Sequence, residues 1–386
     1  MEHPTALSAC QARELCGIIR AMRLSEKLNL WLHGPMTGYV RLAYARKSRR
    51  VERKHPELFR PVNPDLSRRH RELWGRTGLA CGDRWLRLHV NLTGIEDPTF
   101  CPEDIFFARI ERVMNACDQS GYGPEDKLNL FRYVPAGCEP ETVLRFSRGS
   151  FFDARGNWID RATANRLLEG EVVVKPCRGS GGNGVRLRSD LTAEEIEGFG
   201  EESFVVQRKI EQGEFTAQFN RSSVNTVRMM TMRCPWNGEI VVCRSMLRMG
   251  VSDAVIDNMM KGGLCVCVGD RGQLGKYAYD YDGRRFERHP VSGLRFAGLV
   301  HPGYDGLVET AKAVHRNVPD FNLLSFDLVQ RKDGSVCVVE INSSSQGITQ
   351  LQYDFGGLFG PHSEQVVDWV ARHLRYDRFS HVRTWY

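Results

Sequence analysis

The chain has 386 residues, of which 41% are hydrophobic and 26% are charged, and its formal net charge is +6. These values are typical of a globular protein with two or three domains, and they exclude an intrinsically disordered chain. The first residues show no basic-then-apolar leader, and no apolar run reaches the ~18 residues of a membrane span. We therefore expect a cytoplasmic protein that is not an integral membrane protein.

The N-terminal part is predicted to be mostly helical, and its basic residues are concentrated in one segment. Residues 41–71 carry eleven Lys and Arg against three acidic residues, a net charge of +8. This segment is either a solvated helix face or a landing surface for a polyanion such as a nucleotide-sugar, a phosphorylated carrier or an anionic membrane face. It contains no recognised nucleic-acid motif, so no nucleic-acid partner is expected.

Strand-like runs become frequent from about residue 125. They are β-branched and bounded by Gly, Pro or Asn, as strands should be. The predicted strands are 171–174, 204–207, 227–232 and 240–243. The predicted helices are 192–199, 306–316 and 363–374. Antiparallel hairpins mixed with helices indicate the α+β class.

One predicted hairpin near the C-terminus brings two carboxylates together. Asp333-Gly334 is a strong signal for a two-residue turn, because Gly tolerates positive φ and Asp nearly does. With that turn, Asp327 and Glu340 lie directly opposite each other on one face of the hairpin. Asn342 follows two residues after Glu340 and shares its face.

Two facing carboxylates repel each other and would destabilise an isolated hairpin. A divalent cation removes this repulsion, and the oxygens of Asp, Glu and Asn suit Mg²⁺, which also takes phosphate oxygens as ligands. The sequence therefore predicts a magnesium site at Asp327, Glu340 and Asn342. The alternative is a solvent-exposed face whose carboxylates pair with lysines.

A lysine and a glycine-rich loop follow one of the predicted strands. Lys175 ends the strand, and four glycines occur among residues 179–184. Glycines let backbone N–H groups turn toward a phosphate, and the lysine adds a positive charge for the same group. The loop is not a Walker A motif, because the lysine precedes the glycines.

Together these residues resemble the ATP-grasp superfamily. The resemblance implies that ATP lies between a small lid and a larger domain, with adenine at the main chain of a hinge strand. It implies ATP-binding roles for Lys127, Lys175, Gly179, Ser180, Gly181, Gly182, Gln207, Arg208, Ile210 and Glu214. It also matches Asp327, Glu340 and Asn342 to the metal ligands, and Arg228 to the catalytic arginine at the transferred phosphoryl group. Gln207 stands where many members carry Glu.

More narrowly, several short motifs resemble the sugar-transfer-associated branch of that superfamily. They imply substrate-binding roles for Asn225, Arg248, Asp257, Asn258, Gly262 and Gly263. Each has a structural alternative: a buried pair for Asn225 with Arg228, surface charge for Arg248, and a turn for the segment around Asp257 and Asn258.

The expected architecture is an ATP-grasp fold in three parts. Residues 1–115 form a partly helical N-terminal region, residues 116–205 the lid, and residues 206–386 the C-terminal subdomain with the metal site. The implied function is an ATP- and Mg²⁺-dependent ligase that joins a carboxylate to an amine through an acyl phosphate. The implied setting is surface-polysaccharide or natural-product biosynthesis. The alternatives are a phosphotransferase acting on a hydroxyl and a nucleotide-binding regulator without turnover. A homodimer is the default oligomeric state.

Overall fold

The computed structural model describes residues 24–115, 122–177, 184–199, 203–251 and 259–377. Two antiparallel sheets and the helices around them form an α+β architecture, which confirms the predicted class. The four predicted strands and three predicted helices all occur. The loop residues Gly179, Ser180, Gly181 and Gly182 and the pair Asp257 and Asn258 lie outside the described residues.

The N-terminal region is helical. Its helices are α1 (Leu24–Lys54), α2 (Pro64–Gly75), α3 (Arg84–Thr93) and α4 (Glu111–Asn115). One α-turn (Glu103–Ile105) and a π-helical turn (Phe106–Ile110) lead directly into α4. Among the described residues, no helix is both long enough and apolar enough to cross a membrane.

The first sheet has six strands, which we call the lid sheet. Its strands are β1 (Thr142–Ser147), β2 (Ser150–Asp153), β3 (Trp158–Ile159), β4 (Val172–Pro176), β5 (Arg186–Arg188) and β6 (Ser203–Arg208), in the spatial order β3-β2-β1-β6-β4-β5. Helices α5 (Arg161–Leu167) and α6 (Ala193–Glu197) cover one face, where Phe146, Val174 and Phe204 are buried. A capping box at Thr192 and Glu195 starts α6.

The opposite face of the lid sheet carries polar side chains. Lys175 on β4 pairs with Val205 on β6, and Val173 pairs with Gln207. Paired residues of antiparallel strands project to the same side, so Lys175, Val205 and Gln207 share the face away from α5 and α6.

The second sheet has seven antiparallel strands in the spatial order β11-β10-β9-β8-β7-β12-β13. Its strands are β7 (Thr226–Arg233), β8 (Ile240–Met249), β9 (Leu264–Val268), β10 (Leu274–Tyr279), β11 (Arg285–Phe286), β12 (Leu323–Gln330) and β13 (Val336–Asn342). Helix α7 (Tyr304–Arg316) packs on one face through Leu307, Ala311 and Val314. The N-terminal helices and α8 (Ser363–Arg372) share a core with residues of the other face. The division at residues 115 and 205 stays a prediction.

The turn between β12 and β13 differs from the prediction. Arg331 N–H donates to the Ser335 carbonyl at 2.7 Å, so three residues lie between them. The predicted two-residue turn at Asp333-Gly334 is therefore wrong by one residue. Gly334 adopts a φ of +86°, which a glycine tolerates without strain.

A β-bulge restores the predicted pairing farther along the hairpin. Leu328 pairs with Val338, whereas Asp327 pairs with Glu340, so Val339 is the extra residue. The longer turn and the bulge shift the register in opposite directions. The predicted pairing of Asp327 with Glu340 is confirmed because these two shifts cancel.

Candidate functional site

Three neighbouring strands place a row of charged side chains on one face of the second sheet. Glu340 on β13 pairs with Asp327 on β12, and Asp327 pairs with Arg228 on β7. The Arg228 guanidinium donates from Nε to Asp327 Oδ1 at 2.8 Å and from Nη2 to Oδ2 at 2.9 Å. From β8, Arg248 Nη1 approaches the same two oxygens at 3.4 and 3.3 Å.

The two arginines control the ionisation of Asp327. Its side chain is only 4% exposed, and burial by itself would raise its pKa. The positive charges of Arg228 and Arg248 outweigh burial and lower the pKa of Asp327 to about 2. Asp327 is therefore an anion at neutral pH, held between two cations.

Two lysines approach the other end of the row. Lys127 follows the short helix Tyr122–Glu125, and its Nζ lies 2.9 Å from Glu340 Oε1. Lys175 projects from the lid sheet, where burial lowers its pKa, the nearby Lys127 lowers it further, and Glu340 opposes both effects. The structure thus brings four basic groups around two carboxylates. This excess of positive charge suits a polyanionic ligand such as a nucleoside triphosphate.

The donor set at the predicted metal site fits Mg²⁺ with substrate oxygens as further ligands. Within the described residues, no group of three or more His, Cys, Asp and Glu side chains could hold a metal alone. Two carboxylates and one amide oxygen, supplied by Asp327, Glu340 and Asn342, are the usual protein share of a magnesium site that also binds phosphates. Asn342 Nδ2 donates to the Ser325 carbonyl at 3.5 Å, which leaves Oδ1 as the amide acceptor. Each oxygen of Asp327 accepts one hydrogen bond from Arg228, and its second lone pair stays available to a metal.

Strand β6, which the sequence predicts to be the hinge, ends beside a large cavity. The Arg208 side chain donates to the carbonyls of Glu169 and Leu167, at 2.8 and 3.2 Å. The cavity has a volume of about 940 Å³, and its lining includes Arg208, Ile210 and Glu214. These three predicted ATP-binding residues are therefore together. Lys127, Lys175, Asp327 and Glu340 are not among the lining residues of the cavity. Glu214 is 67% exposed and pairs with Arg221 at 3.0 Å.

Gln207 has an unsatisfied amide oxygen on the face of the lid sheet that carries Lys175. Gln207 is only 4% exposed, and its Oε1 has no hydrogen-bond partner among the described residues. An unpaired buried polar atom costs about 1–3 kcal/mol, so a ligand that supplies a donor here gains that interaction.

Asn225, predicted to bind substrate, is held by hydrogen bonds inside the protein. It is fully buried, and its Nδ2 donates to the carbonyls of Thr216 and Asn220, each at 2.8 Å. Its Oδ1 accepts from Ser223 Oγ at 2.9 Å and from Gly250 N–H at 3.1 Å. All four positions of the amide are used inside the protein, so Asn225 joins the start of β7 to the end of β8.

The glycine pair predicted for substrate binding lies just before β9. Gly262 is exposed and has a φ of +91°, a conformation that favours glycine, whereas Gly263 is buried. Both follow the short 3₁₀ turn Met259–Lys261.

The sequence interpretation missed two carboxylates behind the site. Glu125 Oε1 accepts from the N–H and Oγ of Ser343, at 2.9 and 2.6 Å, and from Ser344 Oγ at 3.0 Å. Glu111 Oε1 accepts from Gln346 N–H at 3.1 Å, and burial raises the pKa of Glu111 to about 7. These bonds fix the segment that directly follows Asn342.

Asn115, also missed, ties the same end of the hairpin to α4. Its Nδ2 donates to the carbonyls of Leu323 and Ser343, at 3.0 and 2.7 Å. Its Oδ1 accepts from the N–H groups of Asn322 and Leu323. Glu125 lies two residues before Lys127, so the sequence could have indicated a role for it. No comparable sequence feature indicates Glu111 or Asn115.

A lid sheet and a second sheet that carry lysines, arginines and paired carboxylates define the ATP-grasp class. The sequence profile described as sugar-transfer associated ATP-grasp matches residues 159–361, more than half of the chain. The protein belongs to the sugar-transfer associated ATP-grasp family. None of the curated proteins matches it significantly.

Several solved structures are similar to this chain at low sequence identity. The N5-carboxyaminoimidazole ribonucleotide synthetase from Thermotoga maritima is 13% identical, with a TM-score of 0.36, over 64% of this chain and 49% of that chain. The VanG D-Ala:D-Ser ligase from Enterococcus faecalis is 12% identical, with a TM-score of 0.37, over 65% and 61%. D-cycloserine synthetase DcsG is 16% identical, with a TM-score of 0.36, over 65% and 70%. The matched region thus spans about half the length of the first of these proteins.

Proposed function

We propose that this protein is an ATP-dependent ligase that joins a carboxylate to an amine and releases ADP and phosphate. The observation that carries the proposal is the arrangement of Lys127, Lys175, Arg228 and Arg248 around the Asp327–Glu340 pair. Such a site suits both the triphosphate of ATP and an anionic second substrate. The setting would be surface-polysaccharide or natural-product biosynthesis, in keeping with the name of the family.

The lysines and the hinge would hold the nucleotide. Main-chain groups near Arg208 and Ile210 would receive adenine, Glu214 the ribose, and Lys127 and Lys175 the phosphates. Mg²⁺ held by Asp327, Glu340 and Asn342 would neutralise phosphate charge. Once the phosphate charge is neutralised, an anionic nucleophile can approach the γ-phosphorus. The two arginines would orient that nucleophile beside it.

The reaction would then proceed in two balanced steps. A carboxylate oxygen of the substrate attacks the γ-phosphorus, the bond to the β-phosphate oxygen breaks, and ADP leaves with an acyl phosphate remaining. The amine nitrogen attacks the acyl carbon, the carbon–oxygen bond to phosphate breaks, and the nitrogen loses a proton. Arg228 and Arg248 would stabilise the negative charge that develops on the transferred group and the acyl oxygen.

The test is ADP release from Mg-ATP with a panel of amino acids, uronic acids and amines. We expect release to require both a carboxylate and an amine, and to fall at least 100-fold in Glu340→Ala, as is typical when a charge-stabilising group is lost. Glu309→Ala, which removes an exposed glutamate of α7, is the matched control and should retain activity. Release that needs only a hydroxyl compound would indicate a phosphotransferase, and ATP binding without release under any condition would indicate a regulator.

A further inference from the structure

Helix α1 has one side that faces solvent over more than five turns, which we call the α1 outer face. The 3.6-residue repeat places these residues on one side of the helix. All of them are exposed: Gly34, Pro35, Gly38, Tyr39, Leu42, Ala43, Arg46, Arg49, Arg50, Arg53 and Lys54. The opposite side packs into the protein through Val40, Tyr44 and Val51. The helix is thus anchored on one side and open on the other.

The second half of the α1 outer face is entirely basic. No acidic side chain of the described chain pairs with Arg46, Arg49, Arg50 or Arg53. Other basic residues of α1 are neutralised: Arg41 pairs with Asp104 and Lys47 with Glu103, at 3.2 and 2.7 Å. Asp282 pairs with Lys54 at 2.6 Å at the end of this face, whereas the four arginines form a positive surface without an acidic partner among the described residues.

The first half of the same face is apolar. Tyr39 is 65% exposed and Leu42 is 43% exposed, and small or apolar residues surround them. From Tyr39 to Arg53 the face is roughly 20 Å long at the rise of an α-helix. One straight surface therefore presents an apolar end followed by an arginine end.

We propose that the α1 outer face docks this protein on a membrane surface rich in anionic lipid. Arginines bind lipid phosphates, and each basic residue near such a surface adds to the attraction. Tyr and Leu side chains are those that enter the boundary between headgroups and acyl chains. A soluble polyanion would engage the arginines but would leave Tyr39 and Leu42 in water, so the combination favours a membrane. The protein would be peripheral, and the proposal is independent of the ligase function.

The experiment is co-sedimentation of the full chain with vesicles of phosphatidylcholine alone and of phosphatidylcholine mixed with phosphatidylserine. We expect binding only to the mixed vesicles and weakening with added salt. The double variant Arg46→Glu/Arg50→Glu should lower the partition coefficient at least tenfold. Tyr39→Ser/Leu42→Ser should lower it severalfold, although this variant keeps every charge.

The matched control is Arg155→Glu/Arg188→Glu, which changes the net charge equally at two exposed arginines, one in the turn between β2 and β3 and one on β5. It should bind vesicles like the wild type. Equal loss in this control would overturn the proposal, because attraction would then depend on net charge alone. Absence of binding to the mixed vesicles would also overturn it, as would an unchanged partition coefficient in the Tyr39→Ser/Leu42→Ser variant. Binding of heparin or RNA, but not of vesicles, through the arginines would identify a soluble polyanion instead.

Discussion

Arg228 holds Asp327 by two parallel hydrogen bonds across neighbouring strands, at 2.8 and 2.9 Å. The arginine predicted to contact the transferred phosphoryl group therefore binds the carboxylate predicted to hold magnesium. This pairing satisfies both charges without a ligand and keeps the buried carboxylate ionised. A phosphate that binds Arg228 and a metal that binds Asp327 would each contact one partner of this pair, so the two halves of the proposed site are linked through one ion pair.

The first prediction concerns the stability that this pair provides. Arg228→Met leaves the buried Asp327 without its two-point partner, so we expect the free energy of unfolding to fall by about 3 kcal/mol. Urea denaturation measures this loss. The double variant Arg228→Met/Asp327→Asn should recover part of the lost stability, because the second change removes the unpaired charge of Asp327.

The pH dependence of the same loss has a defined sign. The folded pKa of Asp327 is about 2, below the ordinary aspartate pKa of 3.8, so its ionised form stabilises the fold above about pH 4. That contribution disappears as the pH falls toward 2. The stability gap between the wild type and Arg228→Met should narrow below pH 4, and a gap that stays constant would contradict the assignment.

The sequence predicted local features of the hairpin and missed its irregularities. Alternation of polar and apolar residues is a local property, so it correctly assigned Asp327 and Glu340 to one face. Whether Val339 bulges, or Lys332 joins the turn, depends on packing that alternation does not encode. The correct pairing therefore rested on two compensating departures.

The supporting contacts could not be predicted, because they join distant parts of the chain. Ser343 binds Glu125, which lies 218 residues earlier, and Gln346 binds Glu111, which lies 235 residues earlier. One buried carboxylate in a helix is compatible with many folds. The roles of Glu111 and Glu125 become visible only once α4 and the short helix Tyr122–Glu125 are packed against the β12–β13 hairpin.

The second prediction separates a supporting asparagine from a site asparagine. Asn225→Ala removes four buried hydrogen-bond positions, so we expect about 3 kcal/mol loss of stability. Asn342→Ala affects a half-buried side chain with one long hydrogen bond and should cost about 1 kcal/mol or less. Thermal or urea denaturation measures both.

Nucleotide binding in the presence of Mg²⁺ completes this comparison. At a temperature where both variants are folded, Asn342→Ala should weaken binding at least tenfold, since it removes a proposed metal ligand. Asn225→Ala should change it little. A large loss of affinity with full stability in Asn225→Ala would restore the substrate-contact hypothesis for that residue.

The third prediction uses the unpaired amide oxygen of Gln207. A neutral amide can present its oxygen to the amino group of adenine or its NH₂ to the carbonyl of guanine. Gln207→Glu replaces it with an acceptor that strengthens the contact with adenine and repels the oxygen of guanine. We expect the ratio of GTP to ATP dissociation constants to rise by about tenfold, the effect of 1.4 kcal/mol.

Competition with a fluorescent nucleotide measures the two dissociation constants. Gln365→Glu, on the exposed surface at α8, introduces the same charge away from the lid and should leave the ratio unchanged. An unchanged ratio in Gln207→Glu, with both nucleotides still bound, would show that the purine does not reach this side chain. Failure of the wild type to bind either nucleotide would instead count against the proposed function.

The fourth prediction is a pH dependence that originates at Glu111. Burial raises its pKa from 4.5 to about 7, so the folded protein holds a proton that the unfolded chain releases. The stability contribution of this group is therefore greatest below pH 4.5 and declines as the pH rises to 7, by about 3 kcal/mol in total.

Glu111→Gln removes the titration and keeps an oxygen to accept from Gln346 N–H. The variant should be slightly less stable than the wild type at pH 5 and more stable at pH 8. Urea denaturation at both pH values measures the crossing, and Glu309→Gln should follow the wild-type curve. The difference in the free energy of unfolding between Glu111→Gln and the wild type could instead be the same at both pH values. Glu111 would then be ionised throughout, and Gln346 N–H would donate to a charged carboxylate.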